Sequence, residues 1–297
     1  MLSEMPEPSS LPPSVRIVPG GGGLPVARVR GRAGVAEVYL QGAHVTAWAP
    51  TGGRSALWMS SLSRYAPGTA LRGGVPICFP WFGPHASDPT APAHGFARRV
   101  DWQLAAAHEE GDDVVLAFRL TDTEATRSSA WPHRFEAVYT VTVGSRLTLS
   151  LQVTNRDSVP VLFEEALHTY LSVPDIRSTR ITGLESAVFQ DRVLGPGLLP
   201  GETGPLRFGA ETDRLYPCTT APVTVDGGAG RITMAKDCSN ATVVWNPWTV
   251  KAAAMADVGQ DEWTGMVCVE ACNVREASVR LSPGACHTMT AVFALGD

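Results

Sequence analysis

The sequence predicts an all-β chain folded as one large antiparallel β-sandwich. Three observations carry that expectation. Residues 146–155 alternate strictly, with Leu147, Leu149, Leu151 and Val153 on one face and Thr148, Ser150, Gln152 and Thr154 on the other, which is the period of a half-buried strand. The 297 residues include 29 glycines and 23 prolines, a density of turn residues that suits many short elements. No segment carries a long 3.6-residue apolar stripe, so strands without helical crossovers point to stacked sheets.

Taken in order, residues 1–14 are acidic and proline-rich and are expected to form a disordered tail. Residues 15–297 form one expected domain, because the composition does not split and no internal repeat is visible. Gly20 to Gly23 read as a turn; no Gly-Lys-Ser/Thr follows, so they are not a phosphate loop. Strands are expected over 35–48, 114–120, 135–143, 146–155, 222–225, 231–234, 241–245, 265–269, 277–281 and 286–294. Gly144-Ser145 between two of them suits a II′ hairpin, with glycine at positive φ.

Composition excludes several classes. A net charge of −5 argues against a nucleic-acid partner, which would need a basic stripe. No run of about 18 apolar residues spans a membrane, and the start lacks the basic and apolar regions of a signal peptide. Six cysteines, at 78, 218, 238, 268, 272 and 286, are too sparse for a disulfide framework. A cytoplasmic setting is the expectation. Cys268 and Cys272 lack a second ligand pair at zinc spacing and read as core thiols. No Gly-x-Ser-x-Gly elbow occurs.

Four clusters could carry chemistry. Residues 71–83 and 92–98 set glycines beside aromatics and arginines. That mixture fits a pocket with close backbone approach, a flat apolar wall and a fork for an oxyanion, or equally a tight loop with solvated arginines. In residues 163–170, Ala166, His168 and Tyr170 share a strand face; a lone strand histidine is more often a core residue than a catalyst. Glu270 ends an apolar run, and buried glutamate is costly unless it is paired or working.

Together these clusters resemble the hexose-phosphate mutarotases, also called glucose-6-phosphate 1-epimerases, within the aldose 1-epimerase (galactose mutarotase-like) superfamily. The residues that carry the resemblance are RGGVPICFPWFG (72–83), HGFAR (94–98), EALHTYLSVPDI (165–176), ETD (211–213), VVWNPW (243–248) and MVCVEA (266–271). The resemblance implies a supersandwich with sugar bound in an open cleft on one sheet. It implies cofactor-free interconversion of the α and β anomers of an aldohexose, with no metal. It places the catalytic histidine on His168 and the catalytic glutamate on Glu270. It places substrate-binding positions on Arg72, Ala93, Arg98 and Asp213, with His94 as a second histidine that polarises the ring oxygen. Ala93 departs from the pattern, since relatives often carry Gln there. Trp248 is expected in the pocket wall, because Pro247 cannot continue a central ladder. His168 and Glu270 are expected to face each other across a gap as wide as a sugar ring.

The RGG and HGFAR motifs favour a hexose 6-phosphate, glucose 6-phosphate first, as the small-molecule partner of a monomer. The alternatives are a mutarotase for free aldoses and a non-catalytic sugar-binding protein on the same fold; the presence of both His168 and Glu270 speaks against the latter.

Overall fold

A computed structural model describes residues 11–228 and 230–296. Residues 1–10 of the expected tail lie outside them. Residues 11–14 form a turn in which the Ser14 carbonyl accepts Arg30 N–H at 2.8 Å, just before the first strand.

The chain folds into large antiparallel sheets. Residues Val15–Pro19, Pro25–Arg30, Gly34–Tyr39 and His44–Pro50 make a four-stranded meander. The expected strand 35–48 is therefore two strands, turned at residues 40–43. A nine-stranded sheet runs, in spatial order, Leu206–Arg207, Arg180–Thr182, Val223–Asp226, Arg231–Asp237, Cys286–Gly296, Arg146–Asn155, Phe135–Val143, Asp113–Thr121 and Gln103–Glu110. An eight-stranded sheet runs Leu198–Leu199, Phe189–Asp191, Thr212–Pro217, Ala241–Asn246, Met266–Asn273, Glu165–Leu167 and Ile77–Cys78, with Tyr170–Ser172 also on Met266–Asn273. One continuous apolar core draws on these three sheets and on the two-stranded sheet of Val161–Phe163 and Val279–Leu281.

In the nine-stranded sheet the alternation holds as read: Leu147, Leu149, Leu151 and Val153 are fully buried and Thr148, Ser150 and Thr154 are half-buried. The hairpin before this strand differs from the expected II′ turn. Val143 pairs with Leu147, which leaves three connecting residues, and Gly144 is not among the residues at positive φ. Glycine is needed there for room: a Cβ would stand 1.9 Å from Asp113 Oδ1.

The central strands of the eight-stranded sheet behave differently. Every residue of Ala241–Asn246 and of Met266–Asn273 is buried. Both faces are covered, so no alternation marks their length. Glu270, expected at a strand end, lies within its strand. The Trp245-Asn246-Pro247 turn does end a strand, and a short helix, Trp248–Ala253, follows it.

Candidate active site

Register assembles the site. In an antiparallel pair, residues directly opposite share a face. Asp213 lies opposite Trp245, Trp245 opposite Cys268, and Cys268 opposite Tyr170. The next rows hold Val243 with Glu270, and Ala241 with Cys272, Ala166 and Cys78. Ala166 pairs with Cys272 and Tyr170 with Cys268, so His168 falls opposite Glu270, although the ladder is interrupted at 168–169. Residues 102 positions apart in sequence are thus neighbours across one sheet face.

The two side chains touch. His168 Nε2 is 3.4 Å from Glu270 Oε1, and neither Glu270 oxygen, nor His168 Nδ1, has a hydrogen-bond partner. The expected gap is absent. That expectation placed one group on each side of the sugar, but the hydroxyl oxygen and the ring oxygen of an anomeric centre are bonded to the same carbon, so two adjacent groups can address both. Burial holds the Glu270 carboxyl well above its ordinary range; Arg192 and Arg98 pull it down and Asp213 pushes it up. Burial holds His168 well below the usual histidine range, and His94, Arg98 and Arg72 add to the depression. Both shifts favour the uncharged forms, a protonated carboxyl beside an unprotonated imidazole.

Rings fix His168 in place. Tyr170 stacks on it at 4.9 Å and 15°, while His94 and Trp245 meet it edge-on at 5.5 and 6.0 Å. His94 sits in the left-handed region at φ 64°. Its N–H donates to the Gly83 carbonyl at 2.7 Å, and Gly83 N–H donates back to His94 Nδ1 at 3.3 Å. An acceptor Nδ1 carries no proton, so neutral His94 presents Nε2–H as a donor. Burial, with Arg98 next, lowers its pKa to about 3, so it stays neutral in the working range.

Arg72 leads into Gly73 and Gly74, both at positive φ; at Gly74 a Cβ would lie 2.2 Å from the Val45 carbonyl oxygen. Arg72 Nε is 3.0 Å from Asp257 Oδ2, and Nη1 donates to Tyr170 Oη at 2.8 Å. Arg98 has no carboxylate partner among the described contacts. Its Nη2 donates to the Ala93 carbonyl at 2.8 Å, and its buried Nε has no partner. Ala93 itself is exposed. Arg99 donates to the Gly68 carbonyl at 2.7 Å. Asp213 accepts Arg192 Nε at 2.8 Å and Nη2, both on Oδ1, which leaves Oδ2 for a ligand hydroxyl. Arg192 also lies over the Phe82 ring at 5.2 Å.

Trp248 does not join this group. Its ring packs on Trp263 at 4.6 Å, and the indole against His168 is that of Trp245. Its strand ends as read, and a short helix begins at Trp248. Three contributors escaped the sequence reading: Trp245, which carried no mark separating it from a packing residue, and Arg192 and Asp257, which lie in connections without a motif. Cys78, Cys268 and Cys272 are buried thiols, held protonated by burial. A cavity of about 480 Å³ opens elsewhere, over Val29, Ala36 and Trp48 of the four-stranded sheet. It contains none of these groups, so volume and chemistry do not coincide. No helix among the described residues is long and apolar enough to cross a membrane.

Comparison with known proteins gives the family and the fold. A family model described as aldose 1-epimerase matches residues 27–294. The chain is 37% identical over 240 residues to an Escherichia coli K12 protein named "Putative glucose-6-phosphate 1-epimerase", covering 79% of this chain and 78% of that one. A Salmonella typhimurium crystal structure described as "a putative mutarotase (YeaD)" superposes with a TM-score of 0.90 at 31% identity, over 97% of this chain and 95% of that one. A galactose mutarotase related enzyme from Lactobacillus acidophilus shares the fold, with a TM-score of 0.72 at 14% identity over 92% of this chain and 97% of that one.

Proposed function

The chain belongs to the aldose 1-epimerase family, and from that premise we propose that it interconverts the α and β anomers of a hexose 6-phosphate, glucose 6-phosphate first. The observation that carries the reading is the contact of His168 Nε2 with Glu270 Oε1 at 3.4 Å, both otherwise unpartnered, on the sheet face that also holds Asp213.

Anomer exchange needs one proton taken from the anomeric hydroxyl and one given to the ring oxygen. The bond between C1 and the ring oxygen then breaks, its electron pair staying on that oxygen, and an open-chain aldehyde forms. Rotation about C1–C2 presents the other carbonyl face, and closure reverses both transfers. Glu270 as carboxylate takes the first proton and His168 as imidazolium gives the second. Each such transfer is worth roughly 10²–10⁴-fold. The resting pair already holds the one proton this requires, in the neutral arrangement. A phosphate dianion beside Arg72 offsets a charge that depresses His168 and is not among those acting on Glu270, which favours the proton on the imidazole; its effect through Arg98 raises both groups. His94 Nε2–H and Asp213 Oδ2 are the donor and acceptor that hold sugar oxygens.

The phosphate preference rests on Arg72 and Arg98 together, Arg98 having no carboxylate partner among the described contacts. Saturation-transfer NMR of anomer exchange on glucose 6-phosphate, beside free glucose and galactose, tests the reading. Faster exchange on the phosphate supports it. Equal or faster exchange on a free sugar would make the chain a mutarotase for free aldoses, and no exchange on any of them would leave a sugar-binding protein.

A further inference from the structure

We propose that Tyr170 is a positioning residue that couples capture of the substrate's phosphate at Arg72 to the placement of the His168 imidazole, so that the enzyme selects a hexose phosphate through kcat as well as through binding. The proposal rests on the hexose-phosphate reading given above.

Tyr170 is the one side chain described as touching both ends. Its hydroxyl accepts Arg72 Nη1–H at 2.8 Å. Its ring stacks on His168 at 4.9 Å and 15°, and Trp58 stacks on the same ring at 5.7 Å and 20°. Trp245 closes the edge of both, 6.1 Å from Tyr170 and 6.0 Å from His168. The result is a row of Trp58, Tyr170 and His168 walled by indole, with Tyr170 only 1% exposed. In such packing a ring cannot shift without shifting its neighbours.

Arg72 is not free in this state. Asp257 Oδ2 lies 3.0 Å from both its Nε and its Nη2, and Tyr170 holds Nη1. A dianion that engages Arg72 must therefore re-aim a guanidinium already bonded to the Tyr170 hydroxyl. The force passes along that bond to the plane on which the imidazole lies. His168 has no hydrogen bond at Nδ1 to set its orientation, so the stack does that work. Binding energy from a non-reacting group then goes into orientation at the reacting carbon, the condition under which a remote group raises kcat and not only affinity. A free aldose makes no such contact and leaves the row in its resting position.

The test uses the full chain and measures anomer exchange by NMR for the wild type, Tyr170→Phe and Arg72→Ala. The substrates are glucose 6-phosphate, glucose, and glucose with added inorganic phosphite as a detached dianion. The expected result is that phosphite accelerates wild-type exchange of glucose at least threefold. In Tyr170→Phe, which keeps the ring and loses the hydroxyl, that acceleration disappears. The same variant loses about tenfold in kcat on glucose 6-phosphate with KM within threefold, and the loss exceeds that on glucose by fivefold or more. Equal losses on both sugars would reduce Tyr170 to packing and overturn the proposal. So would a raised KM with kcat intact, which would make it only a holder of Arg72, or phosphite acceleration that survives in the variant. Absence of phosphite acceleration in the wild type overturns it without recourse to any variant. Failure of the underlying reading looks different: the wild type would not prefer glucose 6-phosphate to glucose, and Arg72→Ala would cost both sugars alike.

Discussion

His168 Nε2 and Glu270 Oε1 lie 3.4 Å apart across one register position of the eight-stranded sheet, and neither Glu270 oxygen has another partner. A fully buried carboxyl without hydrogen bonds is costly to keep. Nothing else among its described contacts satisfies it, which is the arrangement the proposed sugar site would complete. A sugar supplies what is missing: a hydroxyl to donate to the carboxyl and a ring oxygen to accept from the imidazole.

Glu270→Gln should abolish anomer exchange, by about 10²-fold or more, while sugar-phosphate binding changes little. The amide keeps the shape and cannot take a proton. His168→Asn should do the same from the other end. Saturation-transfer NMR for exchange and calorimetry for binding check the pair. Wild-type exchange in either purified variant would mean that the roles are misassigned.

The two arginines should not be equivalent. Arg98 has a bare charge, whereas Arg72 is already neutralised by Asp257 at 3.0 Å. A charge-assisted bond is worth about 1.5–3 kcal/mol before desolvation. Arg98→Ala should therefore weaken glucose 6-phosphate binding about tenfold or more, with a smaller binding loss for Arg72→Ala. Binding of free glucose should change far less in either. Equal loss on both sugars would show that Arg98 only braces its loop through the Ala93 carbonyl.

How much of this was legible in the sequence depends on whether a strand has one wet face. Leu147 to Val153 alternate because the other side of that strand is half-exposed, and their strand was read to its ends. Met266–Asn273 is buried on both faces, so periodicity says nothing about its length, and Glu270 passed for a terminus. The motif at 72–83 was read as a pocket with close backbone approach or a tight loop, and at Gly74 the backbone does approach closely: a Cβ there would lie 2.2 Å from the Val45 carbonyl oxygen. By contrast, Arg192 and Asp257 reach the site from connections whose local sequence carries no periodicity and no motif. Their roles follow only from where the sheets place Asp213 and Arg72. Trp248 was read into the pocket wall because Pro247 ends a strand, and the helix that follows packs its indole on Trp263.

Trp245 should report ligand binding. It is 9% exposed and meets both His168 and Tyr170 edge-on, so a sugar phosphate entering beside His168 alters its surroundings directly. Trp245→Phe should remove most of the fluorescence change that saturating glucose 6-phosphate causes, whereas Trp248→Phe should retain it. A response that vanishes in the Trp248 variant and persists in the Trp245 variant would return Trp248 to the pocket wall.

The last prediction concerns acid stability and a histidine outside the chemistry. His44 is fully buried, and its Nε2–H donates to the Gly73 carbonyl at 2.8 Å, beside Arg72. Its Nδ1 is buried with no partner, so a second proton there would find no acceptor. Burial accordingly lowers its pKa from 6.5 to about 4. Between those values the unfolded chain binds a proton that the folded chain refuses, so stability rises with pH across that window. The contribution is fully present above pH 6.5, declines as the pH falls, and is exhausted below about pH 4. The difference amounts to about 3 kcal/mol, at roughly 1.4 kcal/mol for each pH step. Urea unfolding of the wild type and of His44→Gln at pH 7.5 and 4.5 isolates it. The glutamine amide can still donate toward Gly73 but does not titrate, so the wild type should lose about 2–3 kcal/mol more than the variant on acidification. Parallel losses in the two proteins would show that His44 is protonated in the folded state, and that the turn carrying Arg72 is not anchored by a neutral imidazole.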